Sequence, residues 1–474
     1  MTLWIEWYQA VQALRPACTR TRTFLWMLVV LMGLCTRSDL AGVTSFVRVL
    51  GLRPVAYHRL LHLFHSTALN LDLLTRCWVR LVLALFHPVM AGPYLVCLAD
   101  GIKAPKEGRK MPGVKLLHQE STSNSKPSFI MGHSLQSVSL LIQAPAGTVS
   151  AVPLTSRIHE GLVLCTLNKR TLLDKMVTLM FSVSEGLNRK FLLVADAYYA
   201  SRKIIIPLLA KDHQLLSRVR SNAVAYFPPV PSMRPKRKGR PRTYGKKVRL
   251  KDLMKETAVF ISAPSPVYGE QNVMLRYRCL DLLWRPVGRL VRFVLVEHPH
   301  RGRIFLLATD ITLAPLEIIQ LYGCRFKIEV GFRQAVHVLG AYAYHFWMSG
   351  MTPIHHGAGN QFLHRKSKKY RADVQRKLRA YHVYVQLGCI AQGLLLHLSM
   401  NHSAAVWLRF RSWLRTMNPQ LPPSELPVAL ALRAGLPAII ARTFPKKLPL
   451  NFRSLFESIS CVREDLKRVI LRKR

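Results

Sequence analysis

Acidic residues are scarce in this chain. Only 24 Asp and Glu stand against 69 Lys and Arg over 474 residues, a formal net charge of +45. A folding chain with so few acids repels itself unless a polyanion shares its field, and nucleic acid is the natural polyanion. An anionic membrane surface is the alternative, since basic chains also dock on lipid headgroups. Long apolar runs are missing too: the longest, Phe24 to Leu34, has eleven residues, short of the roughly 20 needed to span a bilayer. No small-residue cleavage site follows it, and Arg37 and Asp39 come next, which argues against a signal peptide. The run is expected to be a buried helix of a cytoplasmic protein with no membrane partner. Cysteine pairs at metal or redox spacing are also lacking. The nine cysteines are scattered with no C-x-x-C pair, so neither a disulfide framework nor a zinc finger is suggested. His355 and His356 lie near His364, but histidines need Cys or carboxylate company to make a metal site.

What is present is substantial. Half of the residues are hydrophobic, enough for two to four units with real cores at this length. Residues 1–88 read as helices, with apolar residues at spacings of three and four, as in Phe46, Val49, Leu50 and Leu60, Leu61, Phe64. Arg20, Arg22, Arg37, Arg48, Arg53 and Arg59 stud them. That suits a helical domain gripping a DNA end, and equally a solvated helical cap on the next domain.

From residue 94 the pattern changes. Tyr94 to Ala99 is a short apolar run that Asp100-Gly101 should stop; Leu135–Ile142 and Thr148–Leu154 are further strand candidates. A helix is expected within Glu160–Leu187, and Phe191–Ala195 then runs into Asp196. A three-strand meander followed by a crossover helix can return the fourth strand parallel to the first. Asp100 and Asp196 would then face one another at neighbouring strand ends, where two carboxylates stay ionised together only with cations between them. His133, on the second strand, reads as a core or edge residue.

Four prolines between Pro228 and Pro235 open a linker, and residues 234–255 hold eleven Lys and Arg against Asp252. Strand candidates follow at 258–262, 273–283, 290–296 and 304–308, so 226–304 reads as a basic, β-rich insertion. After Pro315 and Glu317, suited to a first helical turn, a helix should run to about Leu339. Tyr322, Arg325 and Glu329 are spaced by three and four and project from one face. Glu329 facing the two Asp would complete a three-carboxylate cage for hard cations such as Mg²⁺, with Arg325 and Tyr322 placed to hold a phosphate.

At these residues the sequence resembles the DDE transposases of bacterial insertion sequences, in the branch with a Tyr-x2-Arg-x3-Glu-x6-Lys signature. The signature is Tyr322-Gly-Cys-Arg325-Phe-Lys-Ile-Glu329, and the Asp blocks are Leu98-Ala-Asp100-Gly-Ile-Lys and Leu193-Val-Ala-Asp196-Ala-Tyr198-Tyr199. The resemblance covers roughly residues 20–420. It implies an α/β chain with a ribonuclease-H-like mixed-sheet core, Asp100, Asp196 and Glu329 as catalytic metal ligands, two Mg²⁺ ions (Mn²⁺ as a substitute) and double-stranded DNA as partner, at element ends and target. It also implies a homodimer in the active complex. The expected units are a helical domain at 1–88, core segments at 89–225 and 305–402 flanking the 226–304 insertion, and a helical tail at 403–474. The Lys slot holds Val336, leaving Arg333 as the nearest replacement cation on that helix.

Two further DNA contacts are expected. The run Arg234–Arg242 carries a Gly-Arg240-Pro core flanked by bases, Arg242 among them, and resembles a minor-groove AT-hook; a solvated basic linker is its plainer reading. Trp284 lies in the insertion from which hairpin-forming relatives supply a Trp that stacks on a flipped base; a core tryptophan is the alternative. A structure-specific nuclease would share the cage but leave ends unjoined, and a non-catalytic DNA-binding protein would keep only the charge.

Overall fold

In a computed structural model, residues 2–119, 127–165, 170–229, 242–267 and 269–443 are described. Arg240 lies outside them. Strand β1 (Tyr94–Pro105) does not stop at Asp100-Gly101. Its partner β2 (Phe129–Gln143) is fifteen residues long and pairs with β1 from Cys97 to Pro105, Asp100 opposite Ser137. A local turn signal loses here to an available ladder of backbone hydrogen bonds. Strand β3 (Val149–Ile158) completes the antiparallel meander on β2.

The crossover helix starts later than its apolar content suggested. Leu162–Val163 is a short strand, and α6, counted after five N-terminal helices, spans Leu172–Leu187. A capping box sets that start: Thr171 and Asp174 satisfy each other's backbone N–H groups. Asn188, with φ of 48°, ends the helix. Strand β4 (Phe191–Ala195) follows and lies parallel to β1, Ala195 opposite Ala99. After helix α7 (Arg202–Leu209), β5 (Gln214–Arg218) lies parallel to β4.

The stretch read as an insertion continues this sheet. β6 (Met274–Trp284), β7 (Arg289–His298) and β8 (Gly302–Ala308) form an antiparallel meander, and β8 pairs with β5. Among the described residues the sheet has thirteen strands, with the central order β6-β7-β8-β5-β4-β1-β2. The fold is thus mixed α/β with a large, mostly antiparallel sheet whose parallel pairings are β1 with β4 and β4 with β5.

The five N-terminal helices, α1 (Thr2–Gln12), α2 (Thr21–Thr36), α3 (Thr44–Val49), α4 (Ala56–His65) and α5 (Leu71–Leu85), share one core cluster with the sheet. The boundary near residue 88 marks a change of secondary structure rather than a break in packing. The apolar run of α2 is a buried helix, as expected, solvent-free from Met27 to Leu31. Next in the sequence, Pro315–Gly323 (α8) and Lys327–Gln334 (α9) are joined by a 3₁₀ turn, and Ala335–Leu339 closes as a π turn before Gly340. The single helix expected to Leu339 is therefore wound three ways. Helix α10 (Lys368–Asn401) runs through the middle of the molecule against β3, α2, α4 and α5. By length and composition it could cross a membrane, and its apolar stretch is 94% buried inside the fold. Two more helices, Ser403–Arg409 and Glu425–Thr443, follow it.

Candidate active site

β1 and β4 are buried on both faces, so every side chain from Leu95 to Ala99 and from Phe191 to Ala195 is closed to solvent. Such strands read as unbroken apolar runs because helices or further layers cover both sides. The next residue on each is an aspartate. Because Ala99 and Ala195 are register partners on parallel strands, Asp100, still within β1, and Asp196, just past the end of β4, occupy adjacent positions. This is the juxtaposition expected from the order of elements alone.

The two carboxylates are held differently. Asp196 caps the 3₁₀ turn Ala197–Tyr199, its Oδ1 accepting from the Tyr198 amide at 3.0 Å. Its carbonyl accepts from Ser217 Oγ at 2.6 Å, which ties the strand end to β5. Asp100 accepts from the Gly101 amide at 2.7 Å and from Arg325 Nη1 at 2.9 Å. Its side chain is only 20% exposed. Burial pushes its carboxyl up to about 6; the Gly101 amide and Arg325 pull it down, and Asp196 and Glu329 push it up again.

Glu329 arrives from the other direction, on α9. Arg325 Nη2 donates to Glu329 Oε1 at 2.7 Å while Nη1 holds Asp100. One guanidinium therefore bridges two carboxylates, one of them 225 residues away in the chain and the other four. Tyr322 completes this face: burial raises its hydroxyl pKa, with Arg325 and Arg218 acting the other way. Tyr199, 4% exposed, has its hydroxyl pKa raised by burial and by both Asp100 and Asp196.

Among the described residues no group of three Asp, Glu, His or Cys side chains converges closely enough to enclose a metal ion. The donor chemistry still fits a hard divalent cation. Asp100 and Asp196 would offer carboxylate oxygens at adjacent positions of parallel strands, and the raised Asp100 carboxyl is one that added positive charge would relieve. Glu329 would add a third carboxylate only on giving up Arg325.

The remaining candidates are scattered. Arg333 is exposed near the end of α9, and the partner of Glu329 is Arg325. Val336 lies in the π turn, half-buried against the main core, so straight-helix geometry no longer describes its direction. Arg242 is exposed. Trp284 ends β6 and is 7% exposed, in the core cluster, yet it lines a cavity of about 600 Å³ with Tyr198 and Arg285. His133 is a core residue, stacked on Phe346 and beside Tyr381. His355 and His356 are exposed and His364 half-buried, with no metal-binding cluster near them among the described residues.

Sequence patterns did not reveal the cations on the far side of Asp196. Arg218, Arg220, Lys251 and Arg303 line a cavity of about 900 Å³ together with Asp196, Tyr322 and Arg325. The available signal was positional: Arg218 ends β5, the strand beside β4, just as Asp100 and Asp196 lie at the ends of buried runs.

Comparison with known proteins reaches part of the chain. Residues 13–269 match the family model described as DDE superfamily endonuclease, a segment that contains Asp100 and Asp196 and stops before Glu329. No curated protein matches the chain. Because the match spans more than half of its length, the chain belongs to the DDE superfamily endonucleases.

Proposed function

We propose that this endonuclease is the transposase of an insertion sequence, with a ribonuclease-H-like core, cutting DNA at the ends of its element and joining them to target DNA. The observation that carries the reading is the bridge Asp100–Arg325–Glu329 beside Asp196. Two carboxylates share one arginine and a third follows the adjacent parallel strand, in a chain of net charge +45. A structural ion pair would need one acid, not three.

Asp100, Asp196 and Glu329 would hold two Mg²⁺ ions, with Mn²⁺ as a substitute, and when bound these supply charge stabilisation at the attacking and leaving oxygens of an in-line phosphoryl transfer. Asp100 and Asp196 fix the reacting end of the sheet. Arg325 turns from the carboxylates to the scissile phosphate, leaving Glu329 to face the two aspartates. Tyr322 orients that phosphate beside Arg325. Water first attacks phosphorus and the 3′ oxygen of the element departs with a proton; the freed 3′-hydroxyl then attacks a phosphodiester of the target and expels its 3′ oxygen. Two copies of the chain would bring two element ends together.

Asp100→Ala, Asp196→Ala and Glu329→Ala should each abolish nicking of an end-containing duplex in Mg²⁺ and leave DNA affinity nearly unchanged, because affinity rests on Lys and Arg at phosphates. Substantial cleavage by any one of them would falsify that residue's assignment. Nicked ends that are never joined to a second duplex would mark the chain as a structure-specific nuclease instead.

A further inference from the structure

The guanidinium of Arg325 takes the place that a shared cation would need. Its Nη1 is 2.9 Å from Asp100 and its Nη2 2.7 Å from Glu329, so one side chain holds both acids. Among the described residues neither acid has another ion-pair partner. Two cations cannot share one pair of carboxylates at this range without repelling each other. A divalent ion and Arg325 therefore compete for Asp100 and Glu329.

Arg325 also has somewhere else to go. It sits in the 3₁₀ turn Cys324–Phe326 between α8 and α9, and it lines the cavity of about 900 Å³ beyond Asp196, beside Tyr322 and Arg218. Its side chain is 21% exposed, so a phosphate in that cavity meets the guanidinium directly. Guanidinium gives phosphate the same fork of N–H groups that it gives carboxylate. Phosphate and the two acids thus want one group, and a phosphate that takes it leaves the acids to a metal ion.

Resting on the DNA-cleavage function proposed above, we propose that Arg325 is a latch that keeps divalent metal out of the site until DNA is bound. Its bridge to Asp100 and Glu329 closes the free protein to the ion, and a phosphate of the bound DNA opens it. In the free protein the apparent metal affinity is lowered by the fraction of molecules whose latch is open. DNA then tightens metal binding, and by reciprocity metal tightens DNA binding by the same factor. Metal enters only where a phosphate is already placed.

The test reads the ion rather than cleavage. Mn²⁺ is titrated into the protein and its binding followed by loss of the free-ion paramagnetic resonance signal, with Asp196→Ala as the blank for ions bound elsewhere. Without DNA, Arg325→Gln should bind Mn²⁺ about tenfold more tightly than the parent, within the roughly 5–150-fold of ordinary coupling between sites. A saturating end-containing duplex, its own Mn²⁺ subtracted, should tighten the parent by a similar factor and change Arg325→Gln less than about twofold. Melting temperature gives a second readout that a merely structural arginine would not move: Mn²⁺ should stabilise Arg325→Gln more than the parent. Equal Mn²⁺ affinity of the parent and Arg325→Gln without DNA, or a parent affinity that the duplex leaves unchanged, overturns the latch. Mn²⁺ binding that survives undiminished in both Asp196→Ala and Glu329→Ala overturns the latch and the catalytic reading together. Loss of the ion in those two variants with no gain in Arg325→Gln overturns the latch alone.

Discussion

At the scale of single residues, Asp100 shows what the site costs the fold. Its carboxyl is raised to about 6 from an ordinary value of 3.8, so between about pH 4 and 6 the folded chain binds a proton that the unfolded chain does not. Stability contributed by this group is therefore present below that window and lost as pH rises through it. Across a window about two pH units wide, the loss amounts to about 3 kcal/mol. Asp100→Asn removes the ionisation, so the variant should be more stable than the parent by up to about 3 kcal/mol at pH 8, the gap narrowing toward pH 4, while cleavage is lost. Denaturant midpoints of both proteins across that range check it; a gap independent of pH would mean that burial does not strain this carboxylate. Arg325 belongs to the same scale. A monovalent guanidinium between two carboxylates neutralises one of them, and a divalent ion could neutralise both.

At the scale of elements, the helix that carries Glu329 is anchored from behind. Arg37 of the N-terminal region, itself 4% exposed, donates to the Leu339 carbonyl at the end of the π turn, and Tyr384 of α10 donates to the Gly340 carbonyl at 3.1 Å. Gln392 of α10 donates to the Gly331 carbonyl at 3.0 Å, two residues past Glu329. Gly340 has φ of 57°, and a Cβ there would collide with the Arg37 guanidinium. Gly340→Ala should cost about 1–2 kcal/mol for the left-handed backbone alone, more with the collision, and should lower cleavage more than DNA affinity. A variant that keeps full activity despite a lower melting point would show that Glu329 does not depend on this anchor. Arg333, on the same helix, is predicted to contact the DNA backbone: Arg333→Ala should lower the salt slope by about 0.9 with thermal stability unchanged, since Glu329 pairs with Arg325. An unchanged slope removes it from the interface.

At the scale of the whole molecule, one core joins residues from Leu3 to Leu436, and it encloses neutral histidines. Burial holds His133 down at about 3 and His213 and His397 at about 4, against an ordinary 6.5. Their stabilising neutrality is complete above pH 6.5 and is lost as the pH falls, because the unfolded chain takes up protons that the fold refuses. Each such proton is worth about 1.4 kcal/mol per pH unit, so the three together approach about 4 kcal/mol per unit between pH 6 and 4. The protein should unfold in mild acid, with its urea midpoint falling steeply from pH 7 to 5. A flat profile would show that these rings are solvated.

Much of this was legible in one dimension. Unbroken apolar runs ending in Asp100 and Asp196, with a meander and a crossover helix between them, are enough to place the two side by side, because handedness and strand pairing leave few alternatives. The spacing of Tyr322, Arg325 and Glu329 likewise fixes a shared helical face. Local signals failed where long-range partners outweighed them. Asp100-Gly101 looks like a turn until β2 supplies a ladder, and residues 226–304 look like a separate unit until β8 pairs with β5. The Arg325 bridge and the cavity of Arg218, Arg220 and Lys251 join positions far apart in the chain, and no pattern in the sequence relates them. Periodicity reports which face of an element is apolar, whereas which charges meet depends on how the elements close around one core, and that only the tertiary structure decided.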